Sequence, residues 1–239
     1  MYIQQIHNES FPVGEGRVKM NYAGTEYYLK QLNQIGTATL SNTTAEEKAI
    51  INSSYLPSHT EMVEMLKPEG NPDALILSYW MPDLDTKVGN ALVTTICAMY
   101  DVNVKETMAL SENGPGVFFS ALEYAQRALN RGEYKEIWLF YLNQFQGGSE
   151  KDERIFWNEP GKGVWLKLTN AQSDKKCPNI KVTRCKPGTH HGNTPDLSES
   201  WENIASFLNA LTNQKAGESL KYRHFNEYSS LVLDIESNC

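Results

Sequence analysis

Runs of apolar residues alternate with amphipathic stretches through the middle of the chain. Asp73–Trp80 is a short, almost continuous apolar run flanked by prolines, which is typical of a strand buried on both faces. Val88–Met99 repeats its apolar residues every three or four positions, as an amphipathic helix does. The next segments predict a second strand, the most regular helix and a third buried strand, at Glu106–Leu110, Val117–Asn130 and Glu136–Leu142. This order of strand, helix, strand, helix and strand predicts an α/β fold with right-handed crossovers.

The pattern is less regular toward both ends of the chain. Polar residues from Ser41 onward, followed by two glutamates, indicate the start of a helix that runs to about Leu66. No internal repeat is visible in the sequence. The remaining predicted elements are a first strand, an alternating strand, an edge strand, a last helix and a closing strand, at Tyr2–His7, Glu159–Leu168, Ile180–Cys185, Trp201–Leu211 and Ser229–Ile235.

Composition and charge narrow the class of protein. The 239 residues are 40% hydrophobic and 21% charged, enough for a packed core in one large domain or two small ones. The formal net charge of −7 argues against nonspecific binding to nucleic acid, which needs a basic face. No run approaches the roughly 20 apolar residues that span a bilayer, and the first residues do not resemble a secretory signal. We therefore expect a cytoplasmic protein without a membrane span.

The cysteines indicate neither a disulfide scaffold nor a metal site. Cys97, Cys177, Cys185 and Cys239 are sparse, and no two form a C-x-x-C pair. The sequence also has no P-loop and no G-x-G-x-x-G signature for a nucleotide. We expect no metal, no cofactor and reduced thiols.

Four segments in sequence order, together with the closing strand, resemble the thiolase-like β-ketoacyl synthases. The similar segments are the strand Ala74–Ser78 with Pro82-Asp83 after it, Ala109 to Ala125 with Ala121-Leu122 in its helix, Gly132–Phe140, the glycine-rich Gly161–Leu166, and Ser229–Leu233. The resemblance implies a layered α-β-α fold with a mixed sheet. It also implies one thiolase-like domain over residues 1–239, with an N-terminal half-fold at 1–171 and a reduced C-terminal half at 172–239.

The family's nucleophile is missing at the turn before the central helix. A ketosynthase needs a cysteine there, because the helix N-terminus and nearby histidines lower the thiol pKa and make a thiolate available. Alignment through Ala121-Leu122 puts that position on Pro115, or on Gly114 after a shift of one residue. The vacated elbow is therefore Asn113, Gly114, Pro115 and Gly116. Ser111 is the nearest hydroxyl, and it precedes the turn.

The family's other catalytic groups have weak counterparts. Thr189–Pro195 resembles the family's H-G-T-G-T-P loop, with His190 at the histidine position and His191 beside it. Both are also read as ordinary exposed loop residues. His224 and Asn226 lie near the position of a second catalytic histidine or asparagine, but the surrounding glycine motif is missing.

The resemblance implies a non-catalytic subunit of the chain-length-factor type. From Gln172 only about 68 residues remain, whereas the family repeats its five-stranded unit there. Such a chain is expected to pair with a catalytic ketosynthase, in a heterodimer or heterotetramer, and to meet an acyl carrier protein through that partner. The strand before the elbow would pair across a two-fold axis. Tyr100, Met108, Phe118 and Phe119 would line the interface or the acyl pocket, although ordinary core packing is the simpler interpretation of any one of them.

Two other functions stay open at this stage. The chain could be a stand-alone acyl-thioester decarboxylase, hydrolase or acyltransferase that uses His190, or Ser111 with a nearby base. It could also be an unrelated α/β binding protein. Replacing His190 and His191 by alanine would separate the first of these from the subunit hypothesis.

Overall fold

The computed structural model describes residues 1–11, 59–79, 92–111, 116–143, 161–171, 177–185, 196–197, 201–226 and 231–238. The helices are α1 (His59–Leu66), α2 (Leu92–Met99), α3 (Val117–Asn130) and α4 (Trp201–Thr212). The strands are β1 (Tyr2–Phe11), β2 (Ala74–Ser78), β3 (Glu106–Leu110), β4 (Glu136–Asn143), β5 (Gly161–Thr169), β6 (Asn179–Cys185), β7 (Asp196–Leu197), β8 (Ser219–Asn226) and β9 (Leu231–Asn238).

Together these strands form one mixed sheet with the order β3-β2-β4-β5-β1-β6-β9-β8-β7. The pairs β2/β3, β2/β4 and β7/β8 are parallel, and the other pairs are antiparallel. Helices lie on both faces of the sheet, which confirms the predicted α/β class with a layered arrangement and a mixed sheet.

The segments with the strongest sequence patterns fold as predicted. β3 and α3 have the predicted boundaries, and every residue of β2 is buried. α3 ends as expected at Arg131-Gly132, where Gly132 adopts a φ of 73°. There the Gly132 N–H donates to Leu129 O and the Glu133 N–H donates to Ala128 O, which is a Schellman arrangement. The predicted helix starts near Ser41 and Val88 lie outside the described residues.

Two predictions about the C-terminal region were wrong or incomplete. The strand predicted at Ile180–Cys185 is β6, but it lies between β1 and β9 and not at an edge. Its charged residues suggested an edge, yet Lys181 is exposed on an interior strand and Arg184 pairs with Glu123 of α3. The strand β8 was not predicted at all. Its apolar positions alternate with Lys221 and Arg223, and the short run gave no clear strand signal.

The two halves of the sheet follow the same plan. β4 pairs with β5, which pairs with β1, while β8 pairs with β9, which pairs with β6. The halves meet where the Ile3 N–H donates to Pro178 O (3.0 Å) and the Ile180 N–H donates to Met1 O (2.7 Å), a reciprocal pair around an approximate two-fold axis. Within the described residues, β3 has no counterpart in the second half (β6–β9 with α4). The predicted truncation of the second half is therefore visible in the fold.

Side chains alternate between two apolar clusters on opposite faces of the sheet. The inner face carries α3 and α4, and the outer face carries α1 and α2. Along β4, the inner-face residues are Ile137, Leu139 and Tyr141, and the outer-face residues are Trp138, Phe140 and Leu142.

The described outer-face side chains at the centre of β8 and β9 are charged. β4 and β8 have eight residues each and the same register with their neighbours, so Phe140 opposite Trp165 corresponds to Arg223 opposite Asp234. The Arg223 Nε lies 2.7 Å from Asp234 Oδ1, and Lys221 Nζ lies 3.3 Å from Glu236 Oε1. Among the described residues, none from β6, β8 or β9 belongs to the outer cluster. Cross-strand ion pairs therefore stabilise the described part of this face.

Asp73 holds the beginnings of three strands of the first half together. Its carboxylate accepts hydrogen bonds from the Lys135 N–H (2.7 Å) and the Glu136 N–H (3.2 Å), and it lies 2.8 Å from Lys105 Nζ. The hydrogen bond from Lys105, followed by that from the Lys135 backbone, lowers the pKa of Asp73 to about 2.

Replacing Asp73 by asparagine should reduce stability at neutral pH, and the reduction should become smaller in acid. Because the pKa of the folded protein lies below the ordinary 3.8, the stabilisation is complete above that value and is lost as the pH falls to about 2. Screening at this partly exposed site limits the effect to about 1 kcal/mol. Urea unfolding of Asp73→Asn and the unaltered chain at pH 7, 4 and 2.5 measures it. A difference that stays constant with pH would assign the loss to packing instead.

Candidate functional site

The turn between β3 and α3 is where the resemblance places a nucleophile. Ser111 follows β3 directly and is exposed. Asn113, Gly114 and Pro115 lie outside the described residues. Gly116 is buried and precedes α3 with φ −61° and ψ −11°, and no side chain caps the helix there.

Aromatic side chains fill the space around the first turn of α3. Phe118 and Phe119 are both fully buried. The Phe118 ring packs edge-on against Tyr141, with a centroid distance of 5.9 Å. Phe119 stacks on His224 at 4.5 Å and packs against Phe207 of α4 at 5.6 Å. Aromatic rings at the start of α3 therefore pack against both halves of the molecule.

Buried polar groups near the ends of β2, β4 and β8 lie in this region. Ser78, the last residue of β2, is in register with Tyr141 of β4, as Leu197 of β7 is with His224 of β8. Tyr141 and His224 are fully buried, and burial raises the pKa of the Tyr141 hydroxyl well above its ordinary value. Asn143 and Asn226 are the last residues of β4 and β8.

Of the histidines singled out in the sequence, the structure describes His224. His224 lies in this central region, in contact with Phe119. His190 and His191 lie outside the described residues, so their catalytic role stays a prediction. Asn226 ends the same strand as His224.

The described cysteines do not supply a reactive thiol at the start of α3. Cys97 belongs to α2 and packs against the outer cluster, and burial raises the pKa of its thiol. The Cys185 thiol donates to Asp234 Oδ2 at 3.1 Å, and its pKa is raised mainly by burial and also by that carboxylate. A raised pKa keeps a thiol protonated at neutral pH and therefore a poor nucleophile.

The four residues predicted to line an interface or pocket do not form one surface. Phe118 and Phe119 lie on the inner face. Tyr100 packs on the outer cluster, where its hydroxyl donates to Val63 O at 3.1 Å and its ring meets Trp138 edge-on. Met108 lies on β3 and is partly exposed.

β3 is the exposed edge of the sheet that the sequence predicted. Within the described chain it pairs with β2 alone, and Glu106, Thr107 and Ala109 are exposed. The Tyr134 hydroxyl donates to Glu106, which raises the pKa of Tyr134 to about 12. Among the described residues, no strand pairs with the second backbone edge of β3.

Sequence reasoning missed a polar contact between α3 and the second half. Glu123 and Gln126 are almost fully buried and bind β6 through Arg184 and Val182. In the sequence they look like the solvated side of an amphipathic helix. Their spacing from Phe119, at positions i, i+4 and i+7, is the signal that they share one stripe of α3.

Within the described part of the chain, no group of three or more His, Cys, Asp or Glu side chains is arranged to hold a metal ion. Nor is any described helix long and apolar enough to cross a bilayer.

Comparison with known proteins identifies the class of fold. No protein-family model and no curated protein matches the sequence. OleA from Xanthomonas campestris with bound acetamide superposes with a TM-score of 0.58 at 10% identity, over 100% of this chain and 98% of OleA. AbyA1, a tetronic acid condensing enzyme, gives 0.56 at 8% identity, over 100% of this chain and 99% of AbyA1. Cerulenin-bound OleA from the same organism gives 0.55 at 9%, over 100% and 98%. The chain therefore has the mixed α/β fold of the thiolase-like condensing enzymes.

Proposed function

We propose that this chain is a non-catalytic, ketosynthase-like subunit that pairs with an active condensing enzyme and shapes its acyl pocket, in polyketide or fatty-acid-type biosynthesis. The observation that carries the proposal is the start of α3. No cysteine occurs between Cys97 and Cys177, and the first turn of the helix holds Phe118 and Phe119 packed against Tyr141 and His224.

Loss of the nucleophile removes the covalent step of the reaction. A condensing enzyme accepts its acyl group on a thiolate, which the positive end of a helix dipole stabilises. Here the helix end is preceded by Asn113, Gly114, Pro115 and Gly116, none of which can form an acyl thioester. A fold alone does not assign an activity. The missing cysteine supports the absence of the acyl-thioester step in this chain.

The position of β3 at the end of the described sheet supports a partner chain. Pairing with a strand of a related enzyme would satisfy the backbone groups that no described strand satisfies and would extend the sheet across the interface. The partner would supply the cysteine and would receive the acyl carrier protein. Met108 would lie at this interface, with Phe118 and Phe119 behind it as the wall of the acyl pocket. Tyr100 is not included, because it packs on the opposite face of the sheet.

Co-expression with a condensing enzyme that has an intact cysteine and is encoded beside this chain tests the proposal. We expect the two chains to elute together in a stable complex, and this chain alone to be poorly soluble or homodimeric. A monodisperse monomer that retains no condensing enzyme would contradict the proposal.

The same complex tests the alternative activity. Replacing His190 and His191 by alanine should leave product formation almost unchanged, because the partner's cysteine performs the reaction. If these changes abolish activity, or if the isolated chain decarboxylates or hydrolyses an acyl thioester, the chain is an enzyme and the subunit proposal is wrong.

A further inference from the structure

One stripe of α3 faces the second half of the molecule. Phe119, Glu123 and Gln126 occupy positions i, i+4 and i+7, so their side chains project from the same side of the helix. Phe119 contacts His224 of β8 and Phe207 of α4, and the other two bind β6. This helix of the first half is thus held by three different elements of the second.

Glu123 forms a two-point ion pair across the halves. It is 5% exposed, and it accepts hydrogen bonds from Arg184 Nε to Oε1 at 3.1 Å and from Arg184 Nη2 to Oε2 at 2.8 Å. Arg127 of the same helix also donates to Oε1, at 2.5 Å. A bidentate guanidinium–carboxylate pair fixes orientation as well as distance.

The Gln126 side chain forms hydrogen bonds with the backbone of β6 of the kind that a neighbouring strand would form. Its Nε2 donates to Val182 O at 2.7 Å, and the Val182 N–H donates to its Oε1 at 2.6 Å. β1 pairs with β6 at Tyr2 and Asn179 alone, so at Val182 the strand has no partner from β1 among the described residues. The side-chain amide satisfies both backbone groups of Val182, and such buried groups are costly to leave unpaired.

We propose that Glu123 and Gln126 are positioning residues that set the register of α3 against β6 and so hold Phe119 on His224. The consequence for the complex rests on the function proposed above: the position of Phe119 sets the depth of the acyl pocket wall, which makes Glu123 and Gln126 determinants of acyl-chain length. Glu123 and Gln126 bind β6 from positions about 4.5 Å apart along the helix axis. These two contacts prevent α3 from sliding along β6 and from rotating. A shift along the axis would break the hydrogen bonds of both contacts together.

Two arginines that share Glu123 provide a matched test. Arg184→Gln breaks the contact between the halves, whereas Arg127→Gln breaks a contact within α3. The two side chains are similarly exposed, at 54% and 51%. In the isolated chain, we expect amide exchange in the second turn of α3 and at Tyr222–His224 to be about tenfold faster in Arg184→Gln and unchanged in Arg127→Gln.

The complex with the condensing enzyme gives the second measurement. We expect Arg184→Gln to raise the ratio of longer to normal acyl products about twofold or more, with Arg127→Gln unchanged and Arg184→Lys partly restored. Equal exchange and equal products in the two glutamine variants would overturn the inference. If the unaltered chain binds no condensing enzyme, the proposed function fails, and amide exchange alone decides whether Arg184 and Glu123 position Phe119.

Discussion

A chain that carries both Thr107→Lys and Ala109→Lys should fold normally and lose its partner. Both side chains are exposed on β3, and the strand forms the end of the sheet, so two lysines there are solvated in the isolated chain. In a complex that extends the sheet through β3, their ammonium groups would be desolvated beside the added strand. Lysine on an edge strand is the device by which proteins prevent such pairing.

The expected loss of affinity is about a hundredfold or more, which corresponds to about 2.7 kcal/mol. Titration of the condensing enzyme by calorimetry measures it. The matched control places two lysines at Ser206 and Asn209, which are exposed on α4, and should bind as the unaltered chain does. Undiminished binding of the β3 variant, with its thermal unfolding unchanged, would show that the partner binds elsewhere.

Replacing Phe119 by alanine should have the largest effect on stability. The ring is fully buried between His224, Phe207 and Phe118, and its removal leaves a cavity that three elements would have to close. Such changes lower the free energy of unfolding by about 3–5 kcal/mol.

Phe119→Leu is the control, because it keeps most of the volume and should cost roughly 1–2 kcal/mol. Chemical denaturation of the three proteins measures the series. Where Phe119→Ala still folds, its complex with the condensing enzyme should form longer acyl products. A loss of unfolding free energy below about 1 kcal/mol for Phe119→Ala would mean that the two halves close over the vacated space, and that the ring does not hold them apart.

The elements that the sequence predicted well are those whose chemistry has one interpretation. β2 and β4 are apolar on both faces, and α3 has a continuous apolar stripe with a glycine at its end. The order of these elements also carried the resemblance, and the solved structures confirm the thiolase-like fold that it implied.

The duplication of the fold was not predictable from residue identities. Corresponding strands share their register but not their chemistry, because Phe140 and Trp165 in the first half become Arg223 and Asp234 in the second. Because of these charged residues, the sequence of β8 gave no clear strand pattern, and β8 was not predicted. Backbone geometry repeats here, while the outer side chains at these two positions change from apolar to charged.

The candidate site was predictable only in part. The missing cysteine can be read from the sequence, and His224 was noted by its position before the last strand. Its contact with Phe119 depends on how β8 and α3 meet in space, which no local pattern encodes. Glu123 and Gln126 are polar residues in an amphipathic helix, and their burial against β6 depends on the short overlap of β1 and β6, which pair at Tyr2 and Asn179 alone.

The inner face of the second half depends on the first half for its cover. Its strands bury apolar side chains there, and α3 from the first half provides part of the cover, beside α4. Separated from residues before β6, these strands would expose the inner face to water and lose the partners of Arg184 and Val182. The molecule is therefore expected to unfold as one cooperative unit, although its backbone is built as two copies of one design.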